Sequence, residues 1–329
     1  MRLRLLSSAL ALLWAVGVQA APDDARAWIA RMNEALSTRS YDGVFMHQVG
    51  GQREVLRIIH RMRDGRMAER LVSTDGSGRE FVRNGPEWVA YFPDRRIAVV
   101  ETRNRSFGFI ATLNGLTEES EKFYTISSVG TQRLQGGLTQ MISVEPRDAL
   151  RYGYRFWLDQ QTAMPIRTQL VSRAGEVIEE ISFISLSLPA SIPDELLKPD
   201  VDSKGFRWMR RDVPARAPAV KQAFVPRSEL LPAGFRVSIF NTPDQPAAAT
   251  GPRTRFIVSD GIAWVSVFVE LAETEPHAGR HGPAARPDGV VMMGSSAAYV
   301  ARLNGYRVTV VGEVPPMTVK AIAEAVQPE

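Results

Sequence analysis

None of the 329 residues is cysteine. Disulfides are excluded, so packing alone must hold the fold, and thiolate metal sites and a lipid-anchored N-terminal cysteine are excluded with them. Histidine is nearly as scarce. His47 and His60 fall in segments with strand texture. His277 and His281 have a helical ligand spacing but sit among Gly and Pro, where no helix would hold a metal. Neither charge sign dominates: 40 Lys and Arg stand against 36 Asp and Glu, for a formal charge of +4. Losing Arg2 and Arg4 with a leader would bring this to +2, which gives no global drive toward nucleic acid and leaves local Arg clusters as the source of any anion affinity.

Chemical motifs are missing too. Gly76-Ser77-Gly78 is a turn rather than a G-x-S-x-G elbow, and no Walker or dinucleotide fingerprint occurs. Glu118, Glu119 and Glu121 read as the solvated face of a short helix. A His in a strand, alternating with Leu56, Ile58 and Met62, is a core imidazole before it is a base, because catalysis needs an orienting partner. The residues offer no catalytic group, no metal site and no cofactor, and binding is the function class they leave.

The N-terminus is positively marked. Arg2 and Arg4 precede an apolar run from Leu5 to Val18, and Val18-Gln19-Ala20 supplies small residues for cleavage. Residues 1–20 are expected to be a secretory signal peptide removed after Ala20, which places the mature chain in the periplasm. The run is shorter than the ~20 apolar residues of a membrane span, and no later stretch is apolar enough to span. The remainder is long enough for two domains.

Residues 24–37 read as an amphipathic helix with Trp28, Ile29, Met32 and Leu36 on one face. Strands are expected near 41–49, 53–63, 66–74, 79–84, 87–92 and 96–102, then a short helix over 117–122. Further strands follow near 123–129, 137–144, 152–159, 165–173 and 176–187. Turn signals such as Asp64-Gly65 join them into an antiparallel meander. In 53–63, Leu56, Ile58, His60 and Met62 alternate with a basic face carrying Arg57, Ile59 and Arg61. Strands 87–92, 152–159 and 176–187 are apolar on both faces. Either a second layer of core covers them or they line a hydrophobic cleft. The Pro-rich stretch 189–228 reads as a linker containing Arg207, Trp208, Met209, Arg210 and Arg211. Strands near 234–240, 254–259, 262–271, 297–303 and 306–312 and a final helix after Pro315-Pro316 make a second domain. Asn304-Gly305 gives its last hairpin. The expected organisation is therefore an N-terminal domain over 21–188, the linker over 189–228 and a C-terminal domain over 229–329.

The series Tyr41-Asp42-Gly43-x-Phe45, Leu56-Arg57-Ile58-x-His60, Glu69-Arg70-Leu71-x-Ser73-x-Asp75-Gly76 and Arg79-Glu80-Phe81-x-Arg83, with Val308-Thr309-Val310-Val311-Gly312-Glu313-Val314-Pro315 near the end, resembles the RseB/MucB family. The resemblance implies an α+β chain. Its N-terminal part is a bent antiparallel sheet of the LolA/LolB type, closed by helices over an apolar cavity, and its smaller C-terminal domain has an antiparallel sheet. It further implies a negative regulator that binds the periplasmic part of a membrane anti-sigma factor (RseA or MucA type) and blocks its regulated proteolysis, with lipid or lipopolysaccharide relieving the complex. On that reading the acyl chains would meet Phe45, Phe81, Trp88, Tyr91, Phe92, Phe156 and Trp157. An anionic ligand or the partner would meet Arg57, Arg61, Arg207, Arg210 and Arg211, whose plainer reading is ordinary solvated Arg. A lipid or lipoprotein carrier is the alternative function, and a homodimer is left open.

Overall fold

The computed structural model describes residues 24–102, 113, 116–211, 224–241, 253–272 and 289–328. The expected signal peptide, His277 and His281 lie outside them. Helix α1 (Ala25–Thr38) starts at Asp24, whose carboxylate accepts from the Arg26 backbone N–H at 2.9 Å. That bond satisfies one of the donors a helix N-terminus leaves open. Its buried stripe is Ala25, Trp28, Ile29, Met32, Ala35 and Leu36.

The strands that follow are β1 (Tyr41–Val49), β2 (Gln52–Arg63), β3 (Arg66–Ser73), β4 (Glu80–Asn84), β5 (Glu87–Phe92), β6 (Ile97–Thr102), β7 (Tyr124–Leu134), β8 (Gly137–Pro146), β9 (Gly153–Asp159), β10 (Pro165–Val171), β11 (Val177–Ser187) and β12 (Arg207–Arg211). They form one sheet in the order β12-β6-β5-β4-β3-β2-β1-β11-β10-β9-β8-β7. Asp64 and Gly65 both adopt positive φ, as a two-residue hairpin turn requires. The expected helix over 117–122 is a single 3-10 turn at Ser120–Lys122.

One face of this sheet carries the first core. Phe45, Leu56, Ile58, Leu71, Ile142, Phe156, Leu158 and Phe183 pack there against Trp28, Ile29 and Met32 of α1. At about 1.5–3 kcal/mol for each large apolar side chain fully buried, this face dominates the stability of the sheet.

The opposite, outer face is covered in part by chain beyond β11. Ile192 and Leu197 pack on Ile59, which is fully buried. Arg70, also buried, bonds Glu80 at 2.8 Å and Asp200 at 2.6 Å. Strand β12 then joins β6 in parallel. Part of the expected linker is therefore sheet cover and sheet edge, so Ile59 belongs to a core although the flanking residues on its own face of β2 are Arg57 and Arg61.

The second unit has β13 (Phe224–Pro226), β14 (Arg236–Asn241), β15 (Arg253–Ser259), β16 (Trp264–Leu271), β17 (Gly289–Met293), β18 (Ser296–Leu303), β19 (Tyr306–Gly312), helix α2 (Pro316–Glu324) and β20 (Val326–Pro328). The six-stranded sheet runs β14-β15-β16-β19-β18-β17, and β13 pairs with β20. Its core is Phe256, Val258, Val265, Val267, Val308 and Val310 against Val319 and Ile322 of α2. The molecule is predominantly β, with α1 and α2 the α-helices among the described residues. None of the described helices is long and apolar enough to cross a membrane.

Candidate functional site

Pairing registers place the aromatic candidates on two different faces. Leu71, Phe81 and Ala90 are cross-strand partners, and Ile58 is opposite Leu71. Phe81, Trp88 and Phe92 therefore share the α1-covered face with Phe45 and Phe156. Phe45 meets Phe183 edge-on at 5.7 Å, and Phe81 meets Phe92 at 6.2 Å. Tyr91 and Trp157 point the other way. Tyr91 packs edge-on against Trp208 at 6.0 Å. Trp157 donates its indole N–H to Gln132 Oε1 at 2.8 Å, under the Arg167 guanidinium. These two residues do not line the covered face, because a strand alternates sides and each follows or precedes a residue that does.

A polar row crosses the same covered face. Tyr41, His60, Glu69, Arg83, Trp88 and Glu101 are successive cross-strand partners on β1 to β6. Tyr41 stacks on the His60 ring at 4.5 Å. His60 is buried, and its Nδ1 lies 3.5 Å from Glu69 Oε1. Arg83 donates to the Gly85 carbonyl at 2.9 Å and lies over the Trp88 ring. Burial pushes the Tyr41 phenol well above its ordinary range, and the Glu69 charge adds to this. A small pocket of about 10 Å³, little more than a water's space, lies among Glu69, Leu71, Phe81, Arg83 and Trp88. Alternation makes His60 legible as an inward residue, but the row itself is invisible without the register.

The arginine candidates divide. Arg57 makes a two-pronged bond to Asp42 at 3.0 and 2.7 Å. Arg61 bonds Asp194 and the Ile192 carbonyl. Both are thus spent on holding the outer face. Arg207, Trp208, Met209 and Arg210 are exposed on β12, with Arg210 3.9 Å from Glu87. Arg211 ends that strand.

Sequence reasoning missed the seam between the two units. Arg151 is fully buried. It bonds Asp260 at 2.7 Å, Asp148 at 3.0 Å and the Ala233 carbonyl at 2.6 Å, with Phe123 and Phe235 beside its guanidinium. Tyr124 donates to Asp260 at 2.9 Å, and Thr318 donates to the Leu150 carbonyl at 2.6 Å. Farther along, His47 Nε2 lies 2.8 Å from Glu179 Oε1, and Ser295 Oγ lies 3.4 Å from Glu313 Oε1. Ser295 also bonds Glu179. The hydroxyl thus meets carboxylates, and the His47 Nε2 bond goes to Glu179, which is not the nucleophile-to-base order of a hydrolase triad.

Comparison with known proteins matches this two-unit architecture along its length. The profile of the MucB/RseB N-terminal domain matches residues 24–201, and that of the MucB/RseB C-terminal domain matches residues 221–327. The chain belongs to the MucB/RseB family. The sigma factor AlgU regulatory protein MucB of Pseudomonas aeruginosa is 30% identical, over 93% of this chain and 92% of that protein. The sigma-E factor regulatory protein RseB of Escherichia coli K12 is 26% identical, over 96% of this chain and 94% of its own length. Among solved structures, MucB in complex with MucA(peri) aligns with a TM-score of 0.66 at 27% identity, covering 93% of this chain and 99% of that one. MucB by itself aligns at 0.59 and 26%, covering 93% and 98%. The MucB/RseB members named here are regulatory proteins, in keeping with the absence of a catalytic motif in this sequence.

Proposed function

We propose that this chain is a periplasmic regulatory binding protein. It binds the periplasmic segment of a membrane anti-sigma factor of the MucA/RseA type, protects that segment from regulated proteolysis, and so keeps an envelope-stress sigma factor inactive. The observation that carries this reading is the family match along both units, joined to the likeness to a MucB chain solved together with MucA(peri). The chain acts by binding and not by turnover.

The same reading gives the N-terminal sheet a second ligand, a lipid such as lipopolysaccharide, held as in LolA/LolB-type carriers. Phe45, Phe81, Phe92 and Phe156 would face the acyl chains, Trp88 would stand where they meet the polar row, and the rest of that row would face the head group. If lipid and anti-sigma segment prefer different arrangements of the two units, each weakens the other by the same factor. The leader over 1–20 is removed on export. The N-terminal unit extends past residue 188 to include the 192–211 cover.

The test is titration calorimetry of the mature protein with the periplasmic segment of the anti-sigma factor from the same organism, with and without lipopolysaccharide. A tight complex that weakens with lipopolysaccharide is expected. No complex in either condition would overturn the reading and leave a lipid carrier, for which defective lipoprotein sorting in a deletion strain is the signature.

A further inference from the structure

One rim of the large sheet gathers basic and amphipathic side chains. Strand β12 is the last in its order and pairs with β6 alone. Arg207, Trp208, Met209 and Arg210 are all exposed on it, Trp208 by 51% and Met209 by 37%. Two adjacent large apolar groups at that exposure are not core, and a rim of cations around them marks a contact surface.

The neighbouring turns add charge. The 3-10 turn Pro93–Arg95 between β5 and β6 carries Arg95, and Arg96 follows it. The Arg96 carbonyl accepts from the Arg207 backbone N–H at 2.8 Å, which fixes this turn against the start of β12. The Arg96 guanidinium lies over Gly205, where a Cβ would stand 3.1 Å from its Nη2. Lys204 sits in the same turn as Gly205, and Arg95, Arg96 and Lys204 are exposed. Asp94, Asp202 and Glu87 are the acidic groups nearby. Asp202 is turned to its own loop, accepting from the Lys204 backbone N–H at 3.0 Å, and Glu87 lies 3.9 Å from Arg210. Arg95, Arg96, Lys204, Arg207 and Arg210 outnumber these acids, in a chain whose totals of 40 and 36 nearly balance.

The register says what shape of partner fits. Trp208 stands opposite Ala98, whose other partner is Tyr91, and Met209 opposite Val99, whose other partner is Ala90. Successive side chains of a strand point to opposite faces. Trp208 therefore leans on the outer face, edge-on to Tyr91 at 6.0 Å, and Met209 flanks the α1-covered face. A folded partner seated on one face would leave the other side chain in water. A fluid layer entered rim-first surrounds both.

We propose that this rim is a membrane-docking edge that lies in the head-group layer of an anionic phospholipid bilayer. The Trp208 indole has an apolar body and one N–H, which suits the level between acyl chains and water. Met209 adds apolar contact on the other side of the strand. The guanidinium groups of Arg95, Arg96, Arg207 and Arg210 present paired donors that match lipid phosphates, while their stems lie along apolar surface. The attraction of such a cluster for an anionic surface grows with each cation and is screened by salt. This goes beyond partner binding and uses neither the aromatic face under α1 nor the seam.

Sedimentation of the full mature chain with vesicles tests it. The protein is expected in the pellet with vesicles of phosphatidylglycerol and phosphatidylethanolamine, and in the supernatant with vesicles of phosphatidylcholine. Raising the salt from about 0.1 M to about 1 M should weaken the first association severalfold. Arg207→Gln and Arg95→Gln should each weaken it on the order of fivefold, and Trp208→Ser at least as much. Arg302→Gln, which removes an exposed cation of the C-terminal unit, should leave it unchanged. Both substituted rim arginines are exposed, so they report on the rim even where Trp208→Ser disturbs the packing on Tyr91. No sedimentation, equal sedimentation with both vesicle types, or an equal loss in Arg302→Gln overturns the proposal. Phospholipid carried into the supernatant with the protein would mean extraction into the sheet and not docking. Equal affinity for poly-glutamate, with the same dependence on Trp208, would assign the rim to an acidic peptide instead. No anti-sigma segment is present, so none of these results bears on partner binding.

Discussion

A methyl group at residue 43 would stand 2.6 Å from Cε1 of Phe183 and 2.9 Å from the Ser185 carbonyl. Gly43 is therefore required by a neighbour on β11 and not by a turn. Gly43→Ala should lose about 1–3 kcal/mol, as overpacking of a close contact does. Urea unfolding followed by tryptophan fluorescence measures this, and parent-like stability would mean that Phe183 can move aside. The glycine was legible as part of a motif, but its cause was not, because β1 meets β11 only in the folded sheet. The same limit hid the Glu179 partner of His47. Where alternation along one strand decides, as for His60, the sequence was sufficient. It failed for Ile59, whose cover comes from Ile192 and Leu197.

The strands with strong local signals were the readable elements. Hairpins closed by Asp64-Gly65 and Asn304-Gly305 sit where their turn chemistry put them, with positive φ at both residues. Strand β12 was unreadable because three of its five residues are Arg and its partner β6 runs parallel. Strand β17 was also missed. It is a short edge strand with exposed Val290, Met292 and Met293, and alternation had no buried face to mark. The cover over the outer face yields a prediction of its own. Leu197→Ala should cost about 2–5 kcal/mol by opening a cavity over Ile59. Limited proteolysis should then cut within 192–200 well before any other site of the folded N-terminal unit. Unchanged protection would mean that Arg70–Asp200 and Arg61–Asp194 suffice without the apolar contact.

At the scale of the molecule, two apolar cores meet through a seam of charges and hydroxyls, with Ile262 of the second unit reaching into the first core. Removing one partner of a buried ion pair leaves the other charge uncompensated, at about 3–5 kcal/mol. Arg151→Ala should therefore loosen the junction more than either core. Calorimetry should resolve two thermal transitions where the parent chain's units melt together, and a single transition shifted downward as a whole would contradict a seam that couples two cores. Two units could be read from length and from the proline-dense stretch. The seam could not, since Arg151 and Asp260 lie far apart in sequence and each looks like an ordinary surface charge.

The order in which these pieces become available as the chain is made follows from the topology. The outer edge of β6 is complete by residue 102, yet the strand that caps it is not delivered until residue 211. Arg151 emerges long before Asp260, so its deepest carboxylate arrives only when the hairpin between β15 and β16 has been made. For that interval the nascent N-terminal half carries a bare sheet edge and an unfinished charge. That stage closes only from the C-terminal side.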